Sequence, residues 1–99
     1  VYVADVVKDY LVNIVAATRS HDAVRLGASP RASLHLIRTA RAKAALAGRD
    51  YVIPDDVQAM AIPVLAHRLL PSTRAQLDGI SPVDIVSQIL TSTPVPEQA

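Results

Sequence analysis

The motif Gly27-Ala28-Ser29-Pro30-Arg31 constrains the fold more than any other stretch of the sequence, because it indicates where a helix begins. Its glycine is expected to act as a hinge, serine is a preferred N-cap residue, and proline is favoured at the first helical position. Glycine is also common just after a helix, and the next glycine along the chain is Gly48. The sequence therefore predicts a helix from Ser29 to about Ala47.

Arg31 has an unusual position for a purely structural residue, since it lies in the first turn of this predicted helix. The first turn carries unpaired N–H groups and the positive end of the helix dipole, so a cation is mildly disfavoured there. A guanidinium beside free amide groups is suited to holding an anion, phosphate above all. The alternative is an exposed arginine that turns back towards solvent. The local chemistry leaves both interpretations open.

The predicted helix has two faces of different chemistry. One face carries small and aliphatic side chains that permit close approach to another helix, and it comprises Ser33, Leu36, Ile37, Ala40, Ala44 and Ala47. The opposite face is basic, and it comprises Arg31, His35, Arg38 and Arg41. Basic stripes commonly face solvent, but this one begins at the helix end that suits an anion. Leu34 lies among these arginines, so we expect another domain to cover part of the basic face.

Apolar residues at helical spacing and local start signals predict three further helices. The first spans 4–20, the next runs from Asp55 or Asp56 to Arg68, and the last runs from Ser81 to about Thr91. A polar connection at 20–26, a connector at 49–54 and a loop at 71–79 lie between the helices. Tyr51 and Ile53 of the connector are expected to pack on the core. Pro63 removes one backbone hydrogen bond and is expected to kink or divide its helix. Phenylalanine and tryptophan are absent, which favours a core of Ala, Val, Leu and Ile. We therefore predict an all-α fold, a small bundle of four helices, or five if Pro63 splits the third.

Composition and charge exclude several classes of function. A formal net charge of +1 gives no general attraction to nucleic acid or membrane, and no apolar run approaches the roughly 20 residues that span a bilayer. The absence of cysteine excludes disulfides and thiolate metal sites and is typical of a cytoplasmic protein. The three histidines lie in separate segments and no glycine-rich phosphate loop is present, so we predict no metal site and no self-contained enzyme. Since the first residue is not methionine, we expect a segment of a longer protein.

Three motifs, in order along the chain, resemble one known family. They are Gly-Ala-Ser-Pro-Arg-Ala at 27–32, Gly-Arg-Asp-Tyr-Val at 48–52 with Pro-Asp-Asp-Val at 54–57, and Val-Leu-Ala-His-Arg-Leu at 64–69. Together they resemble the C-terminal lid domain of MoxR-type AAA+ ATPases. The resemblance covers roughly residues 1–92, so we expect a helical lid domain at 1–92 and a flexible C-terminal tail at 93–99.

The resemblance implies a role in sensing a nucleotide. In this family an all-helical lid folds over ATP, which a separate α/β core domain holds as Mg-ATP. Arg31 matches the sensor 2 arginine, which implies that it is a catalytic residue and contacts the γ-phosphate. The implied nucleotide-binding residues are Gly27, Ser29, Pro30 and Arg31. The Walker and arginine-finger residues belong to the core, so this segment alone is not expected to hydrolyse ATP.

The resemblance also implies partners for the protein that contains this lid. These are the AAA+ core domain of the same chain and the neighbouring subunits of a ring, usually a hexamer. Family members act as chaperone-like remodelling factors, often together with proteins that carry von Willebrand factor A domains. Neither a membrane nor a nucleic acid is an expected partner.

Two other functions remain compatible with the basic face. Arg31, Arg38 and Arg41 could contact the phosphates of a nucleic acid, although the nearly neutral net charge and the lack of interleaved aromatic residues disfavour this. Alternatively, Leu34 and the arginines could dock a partner protein.

Overall fold

A computed structural model describes residues 1–96 as a mostly helical bundle with one small sheet. Its elements are α1 (Asp5–Ser20), β1 (Val24–Leu26), α2 (Arg31–Leu46), α3 (Pro54–Leu65), a 3-10 turn (Ala66–Arg68), β2 (Leu70–Pro71), α4 (Thr73–Leu77) and α5 (Pro82–Ser92). The four helices predicted from the sequence are α1, α2, α3 and α5. The prediction of an all-α bundle is therefore confirmed, and none of the helices described for residues 1–96 has the length and apolarity needed to cross a membrane.

The additional helix does not arise at Pro63. Helix α3 continues through this exposed proline to Leu65 and then tightens into the 3-10 turn, so of the two alternatives left open, a kink or a division, the division does not occur. The additional helix is α4, which lies inside the predicted loop at 71–79. Its start is capped by Ser72, whose hydroxyl oxygen accepts a hydrogen bond of 3.1 Å from the amide of Ala75. Serine caps of this kind are favourable in any helix, even one of a single turn.

A two-stranded antiparallel sheet replaces part of the predicted polar connection. Strand β1 pairs with β2, and Leu26 lies opposite Leu70 in the register. The pairing is extended by the amide of Ser72, which donates a 2.8 Å hydrogen bond to the carbonyl of Ala23. The sheet joins the segment before α2 to the segment after α3, so it holds the chain on both sides of the α2–α3 pair.

The core is shared by α1, α2, α3 and α5, and the most extensive contact between elements is that of α2 with α3. The inner face of α2 consists of fully buried Ala32, Leu36, Ala40 and Ala44. Three of these four side chains are single methyl groups, which lets the two helix backbones approach closely. Burying Leu36 contributes about 2 kcal/mol to stability. The prediction of an alanine-rich inner face is confirmed, although Ala47 lies beyond the helix and is exposed.

Two predicted helix boundaries are confirmed by their hydrogen bonds. Gly48 adopts a φ of 79° just after α2, and the amide of Arg49 donates to the carbonyl of Ala44 at 3.0 Å, which is a typical helix end. At the start of α5, the hydroxyl of Ser81 accepts from the amide of Asp84 at 3.2 Å, and the Asp84 carboxylate accepts from the amide of Ser81 at 3.0 Å. These bonds hold the pKa of Asp84 below its usual value.

The connector between α2 and α3 packs differently from the prediction. Val52 is buried, whereas Tyr51 is 48% exposed and Ile53 is only partly buried. Tyr2 runs parallel to this connector: its amide donates to the carbonyl of Asp50 at 2.8 Å and its carbonyl accepts from the amide of Val52 at 2.9 Å. These backbone bonds turn the side chain of Val52, and not that of Tyr51, towards the core.

The division into a lid at 1–92 and a flexible tail at 93–99 stays a prediction. Helix α5 ends at Ser92, and the backbone is described as far as Pro96. Residues 97–99 of the predicted tail lie outside the described residues.

Candidate functional site

Helix α2 begins two residues later than the serine–proline pattern predicts. Its first residue is Arg31, and Pro30 takes the N-cap position with φ −55° and ψ −26°. The carbonyls of Ser29 and Pro30 accept hydrogen bonds from the amides of Ala32 at 2.9 Å and Ser33 at 3.1 Å. The prediction that the Ser29 side chain caps the helix is therefore wrong, because this tight backbone turn starts the helix without a side-chain cap.

The tight turn reduces the number of backbone amides that are free to bind an anion at this end of α2. The amides of Ala32 and Ser33 already have backbone partners, so they are not the free donors that the sequence suggested. Arg31 is exposed, and within residues 1–96 its guanidinium takes part in no salt bridge. The capacity of this helix end to hold an anion therefore depends mainly on the Arg31 side chain, whose planar group can bind two oxygen atoms at once.

Arg31 belongs to a short exposed segment that is anchored at both ends. Ser29, Pro30 and Arg31 are exposed, whereas Ala28 is 1% exposed and Ala32 is 0% exposed. The two alanines place their methyl groups in the core on either side of the exposed tripeptide. Because only a few rotatable backbone bonds separate Arg31 from these two buried residues, the position of its Cα atom is well defined.

Gly27 permits close packing against α1, and its role as a hinge stays a prediction. Positive φ values occur at Gly48 and Gly79 and not at Gly27, so its conformation is open to other residues. A Cβ atom at Gly27 would, however, lie 2.6 Å from the carbonyl oxygen of Thr18 and 2.8 Å from the Cα atom of Arg19. These are backbone atoms in the last turn of α1. Glycine is therefore required because the segment before α2 lies directly against α1.

Thr18 belongs to this site, although the sequence only placed it on the apolar face of the first helix and predicted no role for it here. It is 0% exposed and its hydroxyl is used twice, donating to the carbonyl of Val15 at 2.6 Å and accepting from the amide of Ala28 at 3.0 Å. A threonine that bonds back within its own helix is common. The second bond, to a residue ten positions away, is the unusual one. The available signal was a polar residue within the apolar stripe of α1.

The basic face of α2 lies opposite the core, as predicted. Arg31, His35, Arg38 and Arg41 are all exposed. The first three, together with exposed Leu34, line a surface depression of about 300 Å³. The other predicted nucleotide-binding residues, Gly27, Ser29 and Pro30, precede this depression in the chain and do not line it. A larger depression of about 550 Å³ lies on α5 around Ser87 and Gln88 and contains none of the predicted site residues.

Arg49 and Asp56 form an ion pair at the other end of α2, which the sequence analysis did not predict. The Asp56 side chain is 2% exposed, and its carboxylate also accepts a 2.9 Å hydrogen bond from the amide of Ile53. The Arg49 guanidinium holds the pKa of the Asp56 carboxyl below its usual value. The pair joins the segment after α2 to the first turn of α3 and so has a structural explanation. Within residues 1–96, no group of three or more His, Cys, Asp or Glu side chains is arranged to hold a metal ion.

Comparison with known proteins places this geometry in a family. The sequence profile of the AAA lid domain matches residues 16–89. The chain is 46% identical over 94 residues to the uncharacterized protein YeaC of Bacillus subtilis, covering 95% of this chain and 29% of that protein. It is 42% identical over 98 residues to Chaperone MoxR1 of Mycobacterium tuberculosis, covering 90% of this chain and 26% of that protein.

A solved structure has the same fold. It is a crystal structure of a candidate ATPase from Cytophaga hutchinsonii, which matches with a TM-score of 0.91 and 31% sequence identity. The match covers 98% of this chain and 32% of that one. The chain thus spans less than a third of the length of each of these relatives.

Proposed function

Because this chain belongs to the AAA lid domain family, as the lid of a MoxR-type AAA+ protein, we propose that it senses ATP bound to a core domain of the same protein. The proposal assigns the sensing contact to Arg31, as the sensor 2 residue. The observation that carries it is the position of Arg31: its guanidinium is exposed and forms no salt bridge within residues 1–96, and it stands at the first residue of α2, on a segment anchored by buried Ala28 and Ala32.

The chemistry of Arg31 suits the γ-phosphate of ATP. Guanidinium groups donate two parallel hydrogen bonds to phosphate oxygens and stay charged at any physiological pH. The positive end of the α2 dipole adds to the attraction for negative charge at the same point. During phosphoryl transfer, charge accumulates on the oxygens of the transferred group, and a fixed cation nearby lowers the barrier. In this proposal Arg31 both reports the presence of the γ-phosphate and assists its transfer.

The proposal leaves the rest of Mg-ATP to the core domain. Magnesium requires several oxygen ligands in near-octahedral geometry, and residues 1–96 offer no cluster of three or more metal-ligating side chains. The lid supplies contact with phosphate through Arg31. Gly27, Ser29 and Pro30 contribute through the backbone that carries Arg31, because Gly27 packs on α1 and Ser29 and Pro30 form the turn.

We extend the proposal to the assembly in which such a lid works. The full-length protein hydrolyses ATP in a ring, for which the expected size is six subunits, and the lid changes its angle to the core with the state of the nucleotide. This motion drives a chaperone-like remodelling activity, with proteins that carry von Willebrand factor A domains as expected partners. The exposed basic face of α2, including Leu34, is the surface of the lid that would meet the core or a neighbouring subunit.

Substitution of Arg31 tests the sensor assignment. In the full-length protein, Arg31→Ala should lower kcat for ATP hydrolysis by about 100-fold or more, since cations at a transferring phosphoryl group are worth factors of this size. The matched control is Arg38→Ala, which removes an exposed arginine from the same face two helical turns away. Because Arg38 lies on the face proposed to meet the core or a neighbouring subunit but is not assigned to the γ-phosphate, its loss in kcat should be smaller than that of Arg31→Ala by a factor of about ten or more.

The folded state provides a second control. Arg31 is exposed and has no salt bridge within residues 1–96, so Arg31→Ala should leave the unfolding temperature unchanged. Near-normal turnover in folded Arg31→Ala protein would contradict the assignment. Equal losses in Arg31→Ala and Arg38→Ala would indicate a general role for the basic face, such as docking.

A further inference from the structure

We propose that Thr18 is a positioning residue for Arg31: its buried hydroxyl fixes the backbone from which the Arg31 side chain reaches the nucleotide. This inference rests on the proposed role of Arg31 and adds a residue that does not touch the nucleotide. It arises from one contact between two parts of the chain, the last turn of α1 and the segment just before α2.

The contact consists of two hydrogen bonds, one that the Thr18 hydroxyl accepts and one that it donates. The amide of Ala28 donates to the Thr18 hydroxyl oxygen at 3.0 Å, and that hydroxyl donates its own proton to the carbonyl of Val15 at 2.6 Å. Both Thr18 and Ala28 are almost completely buried. The hydroxyl therefore has one defined orientation, with its proton on the α1 side and its lone pair towards Ala28.

Gly27 packs against the backbone of the same residue, Thr18. The space for a Cβ atom at Gly27 is filled by the carbonyl of Thr18, 2.6 Å away. The segment is thus held to one turn of α1 by a hydrogen bond at residue 28 and by direct backbone packing at residue 27. Because both contacts involve Thr18, a shift of this turn moves the whole segment.

Only the Ser29–Pro30 turn separates this anchor from Arg31. The ring of Pro30 fixes its φ near −55°, and the bond from the Ala32 amide to the Ser29 carbonyl closes the turn. A stiff turn transmits displacement of its anchor without absorbing it. The position of Arg31 is therefore set by Thr18 on one side and by the packing of Ala32 on the other.

The hydroxyl, and not only the volume of the side chain, is required for this role. Valine has nearly the same shape as threonine, so Thr18→Val keeps the packing but removes the acceptor for the Ala28 amide. A buried amide without a partner is unfavourable and tends to move towards water or another acceptor. Serine keeps the acceptor and loses only a methyl group, so Thr18→Ser should retain the position of Ala28.

The test measures ATP hydrolysis by the full-length protein with Thr18→Val, Thr18→Ser and each of these in an Arg31→Ala background. Thr18→Val should lower kcat by about tenfold, the size expected when a catalytic group is displaced by a fraction of an ångström. Thr18→Ser should keep kcat within about twofold of the unsubstituted protein. In the Arg31→Ala background, Thr18→Val should have no further effect, because it acts through Arg31.

Amide hydrogen exchange provides a readout that does not depend on activity. In the full-length protein, Thr18→Val should speed exchange in the peptide that contains Ala28, and Thr18→Ser should not. If Thr18→Val does not accumulate as folded protein, Gly27→Ala tests the same contact without changing Thr18. It should also lower kcat in the presence of Arg31 and not in its absence.

The outcomes separate this inference from the proposed function. If Thr18→Val lowers kcat by the same factor with and without Arg31, or leaves kcat and Ala28 exchange unchanged, the positioning role is wrong while the sensor assignment stands. If Arg31→Ala alone leaves kcat unchanged, the sensor assignment is wrong, and the positioning role fails with it.

Discussion

Arg49 and Asp56 are joined by two parallel hydrogen bonds, from Nη1 to Oδ2 at 2.6 Å and from Nη2 to Oδ1 at 2.7 Å. The pair closes the connector between α2 and α3 at the end of α2 that is remote from Arg31. The arginine also donates to the carbonyl of Tyr51 at 3.3 Å, within the same connector. The lid thus has a structural arginine at one end of α2 and a candidate functional arginine at the other.

Removal of the Asp56 carboxylate should destabilise the fold. Asp56→Ala leaves the amide of Ile53 and two donors of Arg49 without their acceptor, at a site where Asp56 is 2% exposed. We expect the free energy of unfolding to fall by about 2–4 kcal/mol, measured by urea denaturation of the chain. Asp78→Ala is the matched control, because Asp78 forms an exposed pair with Arg74 at 3.8 Å. Such surface pairs contribute little, so this variant should unfold like the unsubstituted protein.

The same pair should make stability depend on pH in the acid range. The pKa of Asp56 is lower in the folded protein than the value of about 3.9 for a free aspartate. Its contribution is therefore complete above that value and is lost as the pH falls through the lower, folded pKa. The difference in unfolding free energy between the unsubstituted protein and Asp56→Asn should be largest at pH 7 and shrink below about pH 4. Asp84 is present in both proteins, so its own acid titration cancels. A difference that stays constant down to pH 2 would contradict this prediction.

Alanine should be tolerated better at Gly48 than at Gly27, for different physical reasons. At Gly48 the cost is conformational, because φ is 79° while an added Cβ would meet nothing within 4 Å. We expect about 1 kcal/mol there. At Gly27 an added Cβ would overlap backbone atoms of α1, and relief of such overpacking costs about 2–3 kcal/mol. Thermal unfolding of both variants gives the order directly, and equal costs would mean that the contact with α1 is looser than described.

The two serine–proline helix starts should respond differently to alanine. The hydroxyl of Ser81 caps α5, so Ser81→Ala should lower the unfolding free energy by about 1 kcal/mol. The start of α2 has no side-chain cap and Ser29 is exposed, so Ser29→Ala should change stability little. Differential scanning calorimetry on the pair is sufficient. If Ser29→Ala lowers the unfolding free energy as much as Ser81→Ala does, the Ser29 side chain caps α2 after all.

The elements that the sequence predicted well are those specified by local signals. Helix α1 has a regular apolar stripe, Gly48 ends α2, and the Ser81–Asp84 capping box starts α5. Each of these signals is contained within a single short stretch of the sequence. The β1–β2 pairing was not predictable in this way. Its two strands have three and two residues and lie more than forty positions apart, so neither has a periodic pattern. Short strands form because their neighbours bring them together.

The candidate site shows the same division. The basic face of α2 and the exposure of Arg31 follow from helical spacing, which the sequence contains. The roles of Thr18 and Gly27 depend on which turn of α1 lies against the segment before α2, and this is tertiary information. Val83 is a similar case, since its helical spacing from buried Val86 favours burial and yet it is 46% exposed. Ile85 takes the buried position on α5 instead.

The close packing of α2 on α3, together with the Arg49–Asp56 pair, favours movement of these two helices as one rigid unit. Sixteen residues at about 1.5 Å each form a rod about 24 Å long. If α2 tilts by about 10° at Arg31, the end at Leu46 is carried sideways by about 4 Å. Three of the four side chains on the inner face are alanine methyl groups, and Leu36 is fully buried, so this close-packed face has little freedom to absorb the rotation. If Arg31 contacts the γ-phosphate as proposed, a small tilt of α2 at that contact would displace the whole surface at its other end.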